Sequence, residues 1–203
     1  VPDIYAVGDA VEVTHFVTDQ KALISLAGPA NKQGRIAADN ICGGNSHFHG
    51  SQGSSVLKLF GLTAASTGIN EKAAQTAGIA YDKVVLFPAS HATYYPGARS
   101  MAMKVLYEKG SLRLLGAQIV GGDGVDKRID VLATAIRAKL TALELTELDL
   151  SYAPPYSSAK DPVNMAGFMI EDLESGKVRQ FHWSDVEGLP RDGSATLLDV
   201  RTE

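Results

Sequence analysis

The sequence predicts an α+β fold: an antiparallel sheet with helices, preceded by the terminal strand and helix of an α/β domain. Two observations lead to this fold class. Between residues 55 and 120, short apolar runs follow one another closely and are separated by glycine turns, which is typical of β-hairpins. Before residue 55, a single apolar run is followed by a Gly-Asp pair and then by a long Ala-rich helix, which indicates a different architecture.

The composition is that of an ordinary globular protein and argues against nucleic acid or a membrane as partner. The 203 residues are 45% apolar and 21% charged, with a net charge of −4 and no basic run. No apolar stretch approaches the roughly 20 residues of a membrane-spanning helix. The lack of a signal peptide and of an initiator Met fits a fragment or a processed chain. The single Cys42 excludes an internal disulfide, favours a reducing cytoplasm, and is expected to pack at a helix end.

The first element is predicted to be a buried strand over Ile4–Val7. Gly8 and Asp9 follow at its carboxyl end, where open α/β sheets bind ligands. The segment Leu26–Ile41 is predicted to be a helix, because a Pro lies near its first turn, its interior is rich in Ala, and two glycines follow it. A loop with His47-Phe-His49 comes next, and two histidines without a third ligand favour a solvated loop over a metal site.

The antiparallel sheet is predicted from five short β-type runs, and the helices around it from helical spacing and capping signals. Asn70, for example, is a typical N-cap residue for the short helix that follows it. The predicted strands are Ser55–Phe60, Thr63–Gly68, Lys83–Phe87, Met101–Tyr107 and Leu112–Val120, and the predicted helices are Glu71–Ala77, Asp126–Lys139, Thr141–Leu148 and Asp161–Met169.

The last part of the chain changes character again. Glu171–Pro190 is polar with a lone Trp and is predicted to be a linker, whereas Ala195–Val200 is predicted to begin a new buried strand. The predicted division of the chain is residues 1–54, 55–172, 173–194 and 195–203.

Three segments in the first half resemble one family, the pyridine nucleotide–disulfide oxidoreductases. The run Ile-Tyr-Ala-Val-Gly-Asp-Ala over residues 4–10 resembles the second flavin-binding motif of that family. The segment Leu26–Ala38 resembles the helix that follows this motif. The segment Thr63–Glu71 resembles the opening of the family's dimerisation domain. The resemblance therefore implies the tail of an FAD-binding domain over residues 1–54 and an FAD/NAD-linked reductase dimerisation domain over 55–172.

Three further segments resemble one branch of the family. The turns His91–Gly97 and Tyr152–Val163 resemble the coenzyme A-disulfide reductases, a branch that also includes persulfide reductases. The last residues, Asp192–Glu203, resemble the first strand of a rhodanese domain. This points to the subgroup in which a reductase is fused to a rhodanese.

The resemblance implies an FAD- and NAD(P)H-dependent enzyme that reduces coenzyme A disulfide or persulfide through a redox cysteine. The family's Gly-x-Gly-x-x-Gly phosphate loop, nicotinamide domain and redox cysteine have no match in this sequence. We therefore expect a fragment of a cytoplasmic bacterial homodimer that does not catalyse the reaction alone. Two alternatives stay open: a homodimerisation module without flavin, and a fragment of an NADH oxidase or peroxidase relative.

The resemblance also implies a set of cofactor-binding residues. A carboxylate at a strand end can accept a hydrogen bond from a ribityl hydroxyl, and a preceding glycine allows close approach to the cofactor. The amino end of the helix could stabilise negative charge on the flavin ring. From the residues alone, the acidic residue could equally start a surface turn and the helix could be a packing helix. The predicted flavin ligands are Gly8, Asp9, Ala10, Lys32 and Gln33.

Four of the seven tyrosines lie in Pro/Gly-rich turns: Tyr94, Tyr95, Tyr152 and Tyr156. A phenol can donate a hydrogen bond to a thiolate or protonate a leaving thiolate. The resemblance implies that one tyrosine of each turn, Tyr94 and Tyr152, reaches across a homodimer to the partner's redox cysteine. The choice within each pair is open, and aromatic packing at an interface is the alternative. Arg99, Lys160 and Asp161 are candidates for coenzyme A phosphates or for ordinary surface charges, and His91 for a turn cap.

Overall fold

A five-stranded antiparallel sheet forms the centre of the computed structural model, which describes residues 4–199. The strand order across this sheet is β3-β4-β7-β6-β5, and a two-residue pair, β1-β2, lies before it. The strands are β1 Val13–Thr14, β2 Lys21–Ala22, β3 Ser55–Leu59, β4 Leu62–Gly68, β5 Tyr81–Leu86, β6 Met101–Glu108 and β7 Leu114–Gly121. The helices are α1 Ala27–Ile41, α2 Glu71–Thr76, α3 Val125–Arg137 and α4 Pro162–Glu174, with 3₁₀ turns at Gly8–Ala10, Leu143–Glu147 and Trp183–Gly188.

The core lies between α3 and the middle of the sheet. Strand β6 buries Met101, Met103 and Val105 on one face, as the two-residue period of a strand requires, and β7 pairs with it in antiparallel register. Helix α3 packs on β4 and β7. Its buried residues follow helical spacing along one face. They are Val125, Arg128, Ile129, Leu132, Ala135 and Ile136.

The prediction of an antiparallel sheet with helices is confirmed, and most predicted elements occur within a few residues of their expected bounds. The N-cap at Asn70 is confirmed, since its side-chain oxygen accepts a 2.9 Å hydrogen bond from the Ala73 amide. The predicted helix Thr141–Leu148 is instead a 3₁₀ turn over Leu143–Glu147. The short β1-β2 pair was not predicted, because two-residue strands leave almost no periodic pattern.

The predicted strand Ile4–Val7 is wrong. These residues are exposed and form no strand, and the chain then turns into the 3₁₀ segment Gly8–Ala10. Apolar side chains indicate a buried strand only where a neighbouring strand supplies hydrogen bonds. No strand of the described chain lies beside Ile4–Val7.

The chain divides into two compact units, one ending at Glu171 and one beginning at Asp172. In the second unit, the 3₁₀ turn Trp183–Gly188 is capped by the Asp185 side chain, which accepts a 2.8 Å hydrogen bond from the His182 amide. The predicted buried strand is not formed over residues 195–199, where both leucines are exposed. Residues 200–203 lie outside the described part. Among residues 4–199, no helix has the length and apolarity to cross a membrane.

Candidate functional site

Tyr94 and Tyr152 form a hydrogen-bonded pair at the surface, although 58 residues separate them. Their hydroxyl oxygens are 2.8 Å apart, and either can be the donor. The Tyr94 side chain is 75% exposed and that of Tyr152 is 45% exposed. The hydrogen bond to Tyr94 raises the pKa of Tyr152 above its ordinary value, because the bonded phenol is harder to ionise. The two turns singled out in the sequence therefore form one site.

Backbone hydrogen bonds hold the two tyrosine turns against each other. The Ala92 amide donates to the Ser157 carbonyl oxygen at 3.0 Å, which joins the first turn to the second. Within the turns, the Tyr95 amide donates to the Ala92 carbonyl at 3.0 Å and the Tyr156 amide to the Ala153 carbonyl at 2.9 Å. The phenols are thus attached to two turns of defined relative position.

A buried arginine underlies both turns. The Arg128 guanidinium, on α3, donates to the Ser90 carbonyl at 2.9 Å, just before the first turn. It also donates to Ser157 Oγ at 3.1 Å and to the Tyr156 carbonyl at 3.3 Å, both in the second turn. Its charge is paired with Asp161, whose Oδ2 lies 3.0 Å from Arg128 Nη2. Arg128 is only 1% exposed.

The Asp161 carboxylate is ionised in this buried place because several donors surround it. Burial raises the pKa of Asp161, but hydrogen bonds from Ser157 and the Val163 amide, together with the Arg128 charge, lower it overall. Ser157 Oγ donates to Asp161 Oδ2 at 2.7 Å, and the Val163 amide donates to Oδ1 at 3.0 Å. The interpretation of Asp161 as a surface charge is therefore wrong, and its oxygens are already occupied by donors within the chain.

The other tyrosine of the first turn has a different partner. The ring of buried His91 meets the Tyr95 ring edge to face, with centroids 5.8 Å apart. His91 Nδ1 lies 3.1 Å from the Ala92 carbonyl oxygen, so the histidine is a local turn contact, as expected. Tyr156 is largely exposed. Among the four candidates, the phenol–phenol hydrogen bond joins only Tyr94 and Tyr152.

The predicted flavin ligands lie where the 3₁₀ segment Gly8–Ala10 meets α1. The Gly8 amide donates a 2.7 Å hydrogen bond to Oε1 of buried Gln33. Gly8 has φ +78°, a conformation that favours glycine. Asp9, Ala10 and Lys32 are exposed. No hydrogen bond or ion pair recorded among residues 4–199 joins this group to the tyrosine pair.

The start of α1 leaves its first amides without a side-chain cap. The N-cap residue is Leu26, and the first turn contains no acidic side chain. A helix end of this kind favours an acceptor or a negative charge in front of it.

Beside α1, a cavity of about 890 Å³ extends to the loop after it and to α3, where Arg137 lies 4.2 Å above the Phe16 ring. The tyrosine pair does not line this cavity.

Arg128 and Ser157 were missed in the sequence. A usable signal was present, since Arg128 interrupts the apolar face formed by Val125, Ile129 and Leu132. A charged residue on a buried helix face requires a partner of opposite charge.

Cys42 is exposed, so the prediction that it packs at the helix end is wrong. His47 and His49 are exposed in a loop, as expected, and the described residues contain no cluster of three metal-ligating side chains.

The antiparallel sheet with its packed helices is that of the dimerisation domain of pyridine nucleotide-disulfide oxidoreductases. Residues 55–162 match the family described as pyridine nucleotide-disulphide oxidoreductase, dimerisation domain, and the chain belongs to this family.

Disulfide and persulfide reductases are among the proteins that this chain resembles. The coenzyme A disulfide reductase of Staphylococcus haemolyticus (strain JCSC1435) is 40% identical over 174 residues, which are 85% of this chain and 39% of the relative. Reduced Bacillus anthracis CoADR-RHD superposes with a TM-score of 0.90 at 50% identity, over 95% of this chain and 35% of that one.

An NAD-dependent persulfide reductase from A. fulgidus gives a TM-score of 0.89 at 42% identity, over 93% of this chain and 35% of that one. These comparisons confirm the resemblance to the coenzyme A disulfide reductase and persulfide reductase branch. The chain spans about two fifths of the length of the curated relatives it matches.

Proposed function

We propose that this chain supplies the dimerisation region and two active-site tyrosines of a cytoplasmic, FAD- and NAD(P)H-dependent reductase of coenzyme A disulfide or persulfide. The observation that supports it most directly is the Tyr94–Tyr152 hydrogen bond, because it pairs two phenols at an exposed surface. The 40% identity to a coenzyme A disulfide reductase supports the substrate class. In this proposal residues 1–54 belong to a flavin-binding domain, 55–172 to the dimerisation domain, 173–194 to a linker and 195–203 to a rhodanese-like domain.

The chemistry assigned to the tyrosine pair is proton donation to sulfur. One phenol donates its proton to the other, which leaves the second hydroxyl hydrogen free for an external acceptor. That acceptor would be the thiolate that leaves when the partner's redox cysteine attacks the sulfur–sulfur bond. A tyrosine phenol, with an ordinary pKa of about 10, is protonated at neutral pH and so carries the proton that this role requires.

Dimerisation is part of the proposal because both phenols point away from the chain's own core. Each is exposed, so both are accessible to a second subunit. In a homodimer the pair would act on a cysteine of the partner subunit, as the resemblance to the coenzyme A-disulfide reductase branch implies. Measurement of the oligomeric state at micromolar concentration tests this step, and a monomer would contradict it.

The group around Gly8 fits one edge of a bound FAD. The exposed Asp9 carboxylate can accept a ribityl hydroxyl, and Gln33 fixes the Gly8 amide beside it. Lys32 and the uncapped start of α1 add positive potential for an electron-rich ring. When bound, FAD would accept hydride from NAD(P)H. Flavin absorbance in the purified chain would show whether this edge suffices for binding. A chain without flavin would favour a dimerisation module over a cofactor-binding segment.

Turnover tests the role of the tyrosines in a full-length protein that contains this sequence. We expect Tyr152→Phe and Tyr94→Phe each to lower kcat for coenzyme A disulfide by about 100-fold, the usual range for a lost proton donor. Tyr156→Phe is the matched control, since this tyrosine lies in the same turn but outside the hydrogen-bonded pair. Unchanged turnover in both phenylalanine variants would overturn the proposed role. A comparison of disulfide and persulfide substrates decides between the two substrate classes.

A further inference from the structure

We propose that the buried cluster of Arg128, Ser157 and Asp161 is a positioning unit that holds Tyr94 and Tyr152 within hydrogen-bond distance. The three side chains of the cluster are buried, whereas both phenols are exposed. The catalytic part of this inference rests on the proposed function, but its structural part does not.

The geometry of the guanidinium connects the two turns directly. Arg128 Nη2 lies 2.9 Å from the carbonyl oxygen of Ser90, the residue before the first turn, and 3.1 Å from Ser157 Oγ in the second turn. Its Nε donates to Asp161 Oδ2 at 3.2 Å, while Nη1 donates to the Gly124 carbonyl oxygen at 3.1 Å. All three guanidinium nitrogens are thus used, and the plane of the group is fixed relative to α3.

Ser157 is the link between this cluster and the phenols. Its hydroxyl accepts from Arg128 and donates to Asp161 at 2.7 Å, while its carbonyl oxygen accepts from the Ala92 amide at 3.0 Å. Ala92 lies two residues before Tyr94, and Ser157 lies five residues after Tyr152. A displacement of Ser157 would therefore change the spacing of both turns together.

Packing alone does not explain a charged group at this position. Burial of an ion pair is costly, and an apolar side chain of similar volume would fill the same space at no such cost. An apolar side chain makes no directional hydrogen bonds, whereas a guanidinium offers five N–H donors in a rigid plane. The carbonyl oxygens of Ser90 and Tyr156 are fixed by those donors. Lys127 adds a second cation, with Nζ 3.6 Å from Asp161 Oδ2.

The first test uses the full 203-residue chain and needs no enzymatic activity. The pKa of Tyr152 is followed by NMR of ¹³C-labelled tyrosine, assigned with Tyr152→Phe. We expect Ser157→Ala to lower this pKa toward the ordinary value of about 10, because the tyrosines separate. We expect the same from Tyr94→Phe. Ser158→Ala, at the neighbouring serine, is the matched control and should change nothing.

Two results of this titration would overturn the positioning role. One is an unchanged pKa in Ser157→Ala while Tyr94→Phe lowers it, since the pair would then be independent of the cluster. The other is an unchanged pKa in Tyr94→Phe, since no paired phenol would then exist to be positioned. Ser157→Ala is preferred to Arg128→Lys, because loss of the guanidinium endangers folding. Circular dichroism of each variant establishes that it is folded.

The second test is a double-mutant cycle in a full-length protein that contains the sequence. We expect Ser157→Ala to lower kcat by about 10-fold on its own and to have no further effect in a Tyr152→Phe background. Multiplicative losses would contradict positioning through the tyrosines. If Tyr152→Phe by itself leaves kcat unchanged, the proposed function fails, while the titration still decides whether the cluster positions the pair.

Discussion

The Gly8 amide donates a 2.7 Å hydrogen bond to the side-chain oxygen of Gln33, a buried residue in the second turn of α1. This bond attaches the 3₁₀ segment Gly8–Ala10 to the helix, and therefore sets the position of Asp9. The neighbours of Gln33 on this helix face, Pro29, Ala30, Ile36 and Ala37, are half-buried, and a Leu could fill the same space among them. The amide oxygen of Gln33 is what the neighbouring backbone uses.

Replacement of Gln33 by Leu should therefore weaken this attachment. We expect a loss of about 1 kcal/mol in the free energy of unfolding, because the Gly8 amide loses its acceptor in a partly buried place. In a full-length protein, flavin content per chain should fall as well. Asn31→Leu, an exposed polar position on the same helix, is the control. Urea unfolding and flavin absorbance measure the two effects, and equal behaviour of the two variants would contradict the assignment.

The Arg128–Asp161 pair predicts a specific dependence of stability on pH. The pKa of folded Asp161 is lowered below that of the unfolded chain, so the carboxylate stabilises the fold above about pH 4. This stabilisation is lost as the pH falls through the folded-state pKa. We expect Asp161→Asn to cost about 3 kcal/mol at pH 7, because Arg128 then keeps an uncompensated buried charge. The difference from the parent chain should narrow in acid.

Thermal unfolding between pH 3 and pH 7 measures the Asp161 effect. The exposed Asp149→Asn serves as the matched control and should follow the parent chain at every pH. A constant difference between Asp161→Asn and the parent across this range would show that the charge of the carboxylate is not the source of its stabilisation.

A second carboxylate joins α2 to the sheet. Glu71, the first residue of α2, is hydrogen-bonded to Lys83 of β5 and lies 2.9 Å from Lys104 Nζ of β6. Burial raises the pKa of Glu71, but the two lysines outweigh burial and lower it to about 2. Because the folded pKa is the lower one, the stabilisation is complete above about pH 4.5 and declines toward pH 2.

We expect Glu71→Gln to destabilise the chain by about 1 kcal/mol at pH 7, a value reduced for the partial exposure of the carboxylate. At pH 3 the loss should be smaller, because the Glu71 carboxyl of the unfolded parent chain is then mostly protonated and must release its proton on folding. Chemical denaturation at both pH values measures it, with exposed Glu147→Gln as control. An equal loss at pH 3 and pH 7 would contradict an electrostatic origin.

Periodic patterns made the sheet and the helices predictable. Met101, Met103 and Val105 of β6 recur at every second position, and the buried residues of α3 recur at intervals of three and four, because each element buries one face in the core. The two tyrosine turns were also singled out in the sequence, because four of the seven tyrosines lie in Pro/Gly-rich turns and these turns resemble those of the coenzyme A-disulfide reductases. What no pattern indicated was that Tyr94 and Tyr152 contact each other, because that depends on how the chain closes between them.

Two failures have a common physical cause. Ile4–Val7 has the composition of a strand, but a strand exists only where another strand satisfies its backbone groups. Asp161 has the appearance of a surface charge, but a buried cation 33 residues away determines its environment. In both cases the local structure depends on a partner that is distant in sequence, and local propensity carries no information about that partner. Arg128 was the detectable half of the second case, because a charge within an apolar helix face requires compensation.

The close approach of β7 to the residues at the end of β4 depends on the absence of a side chain at Gly116. A Cβ atom built there would overlap the backbone of Ile69, whose amide donates to the Leu115 carbonyl at 3.0 Å. Backbone atoms of a central sheet cannot shift without loss of ladder hydrogen bonds, so relieving the overlap would cost free energy of folding. We expect Gly116→Ala to lower the free energy of unfolding by about 3 kcal/mol. Gly61→Ala, in the open β3–β4 turn with no atom within 4 Å of its added Cβ, is the matched control. Guanidinium denaturation of the two variants measures the difference, and similar midpoints would show that the sheet can expand at this position.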